Sequence, residues 1–149
     1  MMGGTHLAIA VILLFVLSEF TGLLGESKVL AAVLLLIAAI LPDIDNSKSV
    51  IGRKTKIFAW LFKHRGVFHS IFAMIFFTVI IQVIFNQQNL IIVFLIGYAS
   101  HLLADAMTKE GVTLFYPRKY RMHGPLKVGS WLETLIFLVL IVLVIWFIV

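Results

Sequence analysis

The sequence predicts an all-α protein, a polytopic helical bundle embedded in a membrane and formed as a single domain over 1–149. Hydrophobic residues make up 62% of the 149 residues, whereas soluble domains average about 45–50%. The mean hydropathy is +1.11. Apolar runs recur along the chain, and most approach the roughly 17–25 residues that cross the hydrocarbon core. The chain has no cysteine, so any metal site must use His, Asp, Glu or water.

The apolar runs predict about five transmembrane helices, over 5–24, 27–41, 67–85, 90–107 and 132–149. The first run lacks the basic region and cleavage site of a secretory signal, so we expect it to be retained as a helix. The second is short because Pro42 ends it: the residue before a proline is pushed out of helical geometry. A short span is tolerated where its end opens into the protein rather than into lipid.

The basic residues predict how the chain is oriented. Eleven of the twelve Lys and Arg residues lie in the segments 43–66 and 108–130, and Lys28 is the exception. Two spans separate these segments, so they share one side, which the positive-inside rule makes cytoplasmic. We therefore expect a multi-pass protein of the plasma (inner) membrane, with the amino terminus inside and the carboxyl terminus outside. Topology and headgroup contact explain the net charge of +5, and nucleic acid is not an expected partner, because no basic groove is interleaved with aromatic residues.

This topology gathers the ionisable residues at the cytoplasmic end of the bundle. All five histidines are predicted to lie there: His6, His64, His69, His101 and His123. Most of the carboxylates are predicted to lie at the same end, among them Asp43, Asp45, Asp105 and Glu133. Random placement would leave some at the opposite end, so the pattern predicts a shared site built from distant parts of the sequence.

The fourth span carries a pair of potential ligands. His101 and Asp105 are four residues apart, so their side chains point the same way on a helix. This spacing suits two ligands of one metal or of adjacent metals, and it equally suits a polar pair at a helix end. Ionisable groups inside a membrane span are costly and usually functional, which favours the ligand role.

The motif "LPDIDN" supplies two further carboxylates. If the chain is extended after Pro42, then Asp43 and Asp45 face the same direction and can hold or bridge cations. A solvated turn explains the motif as well, since Asp and Asn are common turn residues.

The motif "KHRGVFHS" places His64 and His69 five residues apart, too far round one helix to share a face. If the third helix begins just after Gly66, His69 lies in its first turn and His64 in the preceding loop. Arg65 suits a phosphate clamp, because its planar guanidinium matches phosphate oxygens. It is equally explained as a positive-inside residue.

For Glu133 and His6, a structural role is a simpler explanation than metal binding. Glu133 lies in "SWLE", a capping box before an apolar run, and a ligand or general-base role is the alternative. His6 alone is typical of a capping or interfacial residue.

Together the motifs resemble a known family. "THLAIA", "LPDIDN", "HRGVFHS" and "GYASHLLADAMTKEGVTLFYP" occur in the order and spacing of YdjM-like proteins, which are predicted membrane-bound, metal-dependent hydrolases. That family is in turn distantly similar to the zinc-dependent phospholipase C superfamily, whose helical His-x-x-x-Asp pair matches "HLLAD". The resemblance implies a metal site of six residues, with His64 and Arg65 beside it: His6, Asp43, Asp45, His69, His101 and Asp105.

The resulting hypothesis is a metal-dependent phosphoesterase acting on a membrane lipid or a lipid-linked phosphate at the cytoplasmic interface. One or two divalent ions are expected, zinc first, with manganese or magnesium as alternatives. His64 or a carboxylate such as Glu133 would transfer the proton, and Arg65 would hold the phosphate. The competing hypotheses are a transporter or metal-handling channel, and a non-catalytic membrane adaptor with a structural metal.

Overall fold

The computed structural model describes residues 1–45, 67–118 and 120–149, without the Asp45 side chain. Five α-helices run through these residues: α1 (Gly3–Phe20), α2 (Lys28–Ile40), α3 (Ile71–Phe85), α4 (Gln88–Ala106) and α5 (Trp131–Ile148). The described ranges contain no β-strand, only two isolated bridges between loop residues. The predicted all-α class and the number of helices are confirmed.

Three of the helices are long and apolar enough to cross a membrane, namely α1, α4 and α5. The α3 helix is apolar but has only 15 residues, and α2 has 13, so both are shorter than a full span. Half of the α4 span is buried inside the protein, which makes α4 the central helix. By contrast, Glu133 is the only buried residue of α5, and the apolar side chains around it are left to face lipid.

Two helix ends differ from the predicted positions, and single residues explain both differences. The α1 helix ends at Phe20 rather than at residue 24, because Gly22 and Gly25 adopt positive φ angles of 62° and 59°. Glycine is the residue that reaches this region without steric cost. The α3 helix begins at Ile71 rather than at residue 67, because the Ser70 hydroxyl caps it by accepting from Ala73 N at 3.2 Å. Serine is strongly preferred at this position.

The expectation of extended chain after Pro42 is wrong. Residues Leu41–Asp45 form a 3₁₀ turn that continues from the end of α2. Proline fits here because the first turn of a helix does not need its missing N–H group. A 3₁₀ helix has three residues per turn, so residues two apart do not share a face. Asp43 and Asp45 are therefore not paired by the alternation of an extended strand.

The α2 and α4 helices pack most closely, along a seam of small residues. A Cβ atom added to Gly97 would lie 2.6 Å from the Leu35 carbonyl oxygen and 3.0 Å from Ala38 Cβ. Small residues allow such close approach between membrane helices. Ala31, Leu35 and Ala38 are fully buried at this contact. The seam fixes the end of α2 against the end of α4, where the histidine and the acid of α4 lie.

The loop after α4 folds back over the same end of the bundle. Its backbone closes through paired bonds between Val112 and Met122, 2.8 and 2.9 Å long. It also reaches the start of α3, since Ile71 N donates to Leu114 O at 2.8 Å. Thr108 is fully buried and its hydroxyl donates to Asp105 O at 2.8 Å. The loop thereby holds the carboxyl end of α4 in place.

Candidate metal centre

Five of the predicted ligand residues converge at one end of the bundle. They come from four separate segments: His6 from α1, Asp43 from the 3₁₀ turn, His69 from the turn before α3, and His101 and Asp105 from α4. The three histidines and Asp105 are no more than 2% exposed, and the Asp43 side chain is 14% exposed. The predicted convergence of distant segments is thus present in the fold.

The two residues on α4 lie one turn apart, as predicted. His101 Nε2 is 3.9 Å from Asp105 Oδ2. On the other side of the imidazole, His101 Nδ1 lies 2.7 Å from the Ala39 carbonyl oxygen. A carbonyl can only accept, so Nδ1 carries the proton and donates it to Ala39. In the neutral imidazole the lone pair is therefore on Nε2, which points into the cluster.

His69 contributes a second nitrogen at the same point. Its Nε2 is 3.3 Å from His101 Nε2, 3.5 Å from Asp105 Oδ2 and 3.8 Å from Asp43 Oδ1. The expectation that His69 lies in the first turn of the third helix is wrong, because the helix begins two residues later. The turn nevertheless directs the imidazole toward α4.

His6 packs flat against His101, with ring centroids 3.9 Å apart and an interplanar angle of 13°. Its Nε2 lies 3.3 Å from Asp105 Oδ1, which also contacts the amino group of Met1. Within the described part of the chain, neither ring nitrogen of His6 makes a hydrogen bond. Buried polar atoms normally have a partner. Nε2 has its contact with Asp105, so Nδ1 is the nitrogen whose partner the described protein atoms do not supply.

The donor atoms form two overlapping groups, each with its atoms within 4.8 Å of one another. One group is His69, His101 and Asp105, and the other is His6, Asp43 and His101. In a tetrahedral zinc site with bonds of about 2.1 Å, two ligand atoms lie about 3.4 Å apart. The separations of 3.3, 3.5 and 3.9 Å in the first group are close to that value.

Glu133 is buried beside the cluster but belongs to neither group. Its Oε1 accepts from Met2 N at 2.6 Å and its Oε2 accepts from Gly129 N at 2.7 Å. The Ser130 hydroxyl accepts from Glu133 N at 3.4 Å, as a capping residue does. The predicted cap is present. In a capping box the carboxylate would accept from Ser130 N, whereas here it accepts from Gly129 N, one residue earlier, and from Met2 N just before α1.

Three predicted site features lie outside the described residues: the Asp45 side chain, His64 and Arg65. His123 is exposed on the loop after α4 and takes no part in the cluster.

Two contacts at the site were not predicted from the sequence. The Ala39 carbonyl is a backbone group and leaves no signal in the sequence. The Tyr98 hydroxyl, which donates to Phe68 O at 2.6 Å, could have been suspected, because Tyr98 precedes His101 by three residues and shares its face of α4.

The fold and the cluster define a class: a helical membrane protein that gathers buried histidines and acids at one end of its bundle. The chain belongs to the YdjM inner membrane protein family, whose profile matches residues 1–149. Membership of this family was predicted, as was location in a membrane, and both are confirmed.

Individual relatives agree with this family. A Bacillus subtilis (strain 168) protein, uncharacterized protein YvsG, is 36% identical over 118 residues, covering 75% of this chain and 74% of the relative. Inner membrane protein YdjM of Escherichia coli (strain K12) is 33% identical over 123 residues, or 74% of this chain. The protein of the same name from Shigella flexneri matches equally. The alignment spans 63% of the length of these two relatives. No solved structure matches the chain significantly.

Proposed function

We propose that the cluster binds one or two divalent cations, zinc first, and hydrolyses a phosphoester of a membrane lipid or lipid-linked phosphate at the cytoplasmic interface. The observation that carries the proposal is the convergence of three imidazoles and two carboxylates, from four segments, at the spacing of metal ligands. Neither the family name nor the names of the relatives state a reaction, so the support comes from the site itself.

The chemistry of the cluster suits a cation. In its neutral form His101 presents the lone pair of Nε2 only 3.3 Å from His69 Nε2, and His6 Nδ1 makes no hydrogen bond in the described residues. Buried lone pairs and a buried carboxylate are costly unless a positive charge or a donor faces them. The Met1 amino group supplies such a charge at Asp105 Oδ1, and a cation would supply it to the imidazole lone pairs and to Oδ2. A mixture of imidazole and carboxylate donors without thiolate favours zinc, whereas manganese and magnesium prefer oxygen ligands.

His69, His101 and Asp105 are the residues best placed to hold the first ion. Three protein ligands leave a coordination position for water or substrate, which is typical of catalytic zinc, whereas structural zinc has four. His101 can serve one ion only, because its Nδ1 is bonded to Ala39. A second ion would therefore rest on His6, Asp43 and the Asp105 oxygen that faces His6, in place of the Met1 amino group that contacts the same oxygen.

A bound divalent ion lowers the pKa of its water toward about 7 and neutralises charge on phosphoryl oxygens. Other residues of the chain orient and hold the ligands. Ala39 fixes the tautomer of His101, and the loop after α4 holds Asp105 through Thr108. The same proposal includes three predictions made from the sequence. His64 and Glu133 would transfer the proton, and Arg65 would hold the phosphate.

The distribution of polar groups favours this function over transport. Every buried polar or charged residue within the described ranges lies at the same end of the bundle as the cluster. A transport pathway requires polar groups along the length of a span. Headgroups lie at the membrane surface, and the positions of the basic residues in the sequence predict that this end faces the cytoplasm.

Elemental analysis paired with hydrolysis tests the proposal. Protein purified in detergent should contain about one or two zinc ions per chain, and phosphate or headgroup release from phospholipid vesicles should stop on chelation and return with zinc. His101→Ala should lose both metal and turnover. His123→Ala removes an exposed imidazole and is the matched control, which should keep both. Full metal content in His101→Ala would refute the site, and tight metal without turnover on any lipid would favour the adaptor.

A further inference from the structure

A buried tyrosine connects the central helix to the turn that carries His69. Tyr98 is fully buried in α4, and its hydroxyl donates to the Phe68 carbonyl oxygen at 2.6 Å. Phe68 immediately precedes His69 in the chain. The bond therefore fixes the backbone next to one of the three nitrogen donors.

His69 needs such a constraint because it does not lie within a helix. It occupies the turn before α3, where Ser70 N and the Ser70 hydroxyl both donate to Val67 O, at 3.2 and 2.6 Å. Those bonds are local and shape the turn, but they do not fix its position relative to α4. The His69 imidazole meets His101 and Asp105 on α4, and the bond from Tyr98 ties the backbone of this turn to the same helix.

We propose that Tyr98 is a positioning residue of the metal centre: its hydroxyl sets the place of His69 Nε2 relative to the two ligands on α4. The inference rests on the proposed function, because it assumes that the cluster binds a cation. Tyr98 lies three residues before His101, so one face of α4 supplies two ligands and fixes the third. Groups that orient metal ligands in this way typically contribute about tenfold to 100-fold to metal affinity.

Packing is the competing explanation for a buried tyrosine at this place. The Tyr98 ring lies 6.3 Å from the Phe77 ring and 6.0 Å from the Phe94 ring, within an aromatic cluster. Replacement by phenylalanine keeps these ring contacts and removes the hydroxyl alone. Tyr98→Phe therefore separates the hydrogen bond from the packing.

The test is the zinc dissociation constant of the full chain in detergent, measured by competition with a chromogenic chelator. Tyr98→Phe should weaken zinc binding about tenfold to 100-fold. Tyr120→Phe removes an exposed hydroxyl and should leave the affinity unchanged. In a His69→Ala background, Tyr98→Phe should cause no further loss, because the hydroxyl acts through that imidazole. Equal zinc affinity of Tyr98→Phe and the wild type, or an undiminished effect without His69, would overturn the inference.

A second measurement does not depend on metal. In metal-free protein, the backbone amides of residues 67–74 should exchange hydrogen faster in Tyr98→Phe than in the wild type, whereas those of α5 should not change. Unchanged exchange over 67–74 would overturn the positioning role. A wild-type protein that binds no zinc would instead overturn the proposed function, and faster exchange in Tyr98→Phe would still show that the hydroxyl holds the turn.

Discussion

The seam between α2 and α4 links the packing of the bundle to the metal centre, and Gly97→Ala tests that link. The added Cβ would lie 2.6 Å from the Leu35 carbonyl oxygen, whereas an ordinary contact needs about 3.5 Å. The two helices must therefore separate by about 1 Å at this point. Neither atom in the contact belongs to a flexible side chain, so local side-chain motion cannot relieve it.

The separation should reach the site because Ala39 lies one turn beyond Leu35 on α2. The bond from His101 Nδ1 to the Ala39 carbonyl oxygen is 2.7 Å long. If α2 lies about 1 Å farther from α4, the bond between His101 and Ala39 becomes longer than the usual limit of about 3.2 Å. Overpacking of this kind costs about 1–3 kcal/mol of stability. Loss of the group that orients a ligand should also weaken metal binding by about tenfold or more.

Thermal unfolding in detergent, followed by circular dichroism, and a zinc competition titration measure the two effects. Gly3→Ala is the matched control, because an added Cβ at Gly3 meets nothing within 4 Å. We expect Gly97→Ala to lower both the unfolding temperature and the zinc affinity, and Gly3→Ala to lower neither. Lowered stability with full zinc affinity would refute the link from seam to site, and unchanged stability would refute the close contact itself.

Three further substitutions test other parts of the site. Glu133→Gln should cost about 1–3 kcal/mol of unfolding free energy, because an amide can accept only one of the two backbone bonds that the carboxylate receives from Met2 and Gly129. Ser70→Ala should cost about 1 kcal/mol in the same measurement by removing the α3 cap, and should also weaken zinc binding, since the turn before α3 loosens. Asp105→Asn removes the charge of the most central carboxylate and should lower zinc affinity at least 100-fold on chelator competition, at about 3 kcal/mol per ligand.

Each of these predictions has an outcome that contradicts it. If Glu133→Gln is as stable as the wild type but hydrolyses nothing, the residue acts in catalysis rather than as a clamp on α1. Ser130→Ala removes the α5 cap and is the control for Ser70→Ala; equal zinc affinity of both would show that the cap does not position a ligand. Wild-type zinc affinity in Asp105→Asn would remove that carboxylate from the ligand set.

The helices could be predicted because apolar runs of this length have few alternatives in a membrane. The ends of the helices were harder to predict. The end of α1 depends on the positive φ angles of Gly22 and Gly25, and the start of α3 depends on the Ser70 cap. Both signals are present in the sequence, but each is a single residue inside or next to a strong apolar pattern, which dominated the prediction.

The convergence of ligands could be predicted from connectivity alone. Antiparallel helices place the start of α1, the end of α2, the start of α3 and the end of α4 at one end of a bundle, so residues at those ends must meet. The geometry of Asp43 could not be predicted, because a proline after a helix permits either extended chain or a 3₁₀ turn, and only the structure distinguishes them.

The contacts that orient the ligands could not be predicted. The Ala39 carbonyl is a backbone atom, and its bond to His101 depends on how closely α2 approaches α4. The bond from Tyr98 to Phe68 joins residues thirty positions apart. The spacing of Tyr98 to His101 could have drawn attention to the residue, but its partner follows from tertiary packing, which no local spacing encodes.

Zinc K-edge X-ray absorption on the purified, zinc-loaded protein identifies the ligands of the ion itself. We expect a first shell of nitrogen and oxygen at about 2.0–2.1 Å, with the outer-shell scattering of at least two imidazoles, and loss of one imidazole in His101→Ala. A shell of oxygen atoms without imidazole scattering, or a spectrum unchanged by that substitution, would contradict it.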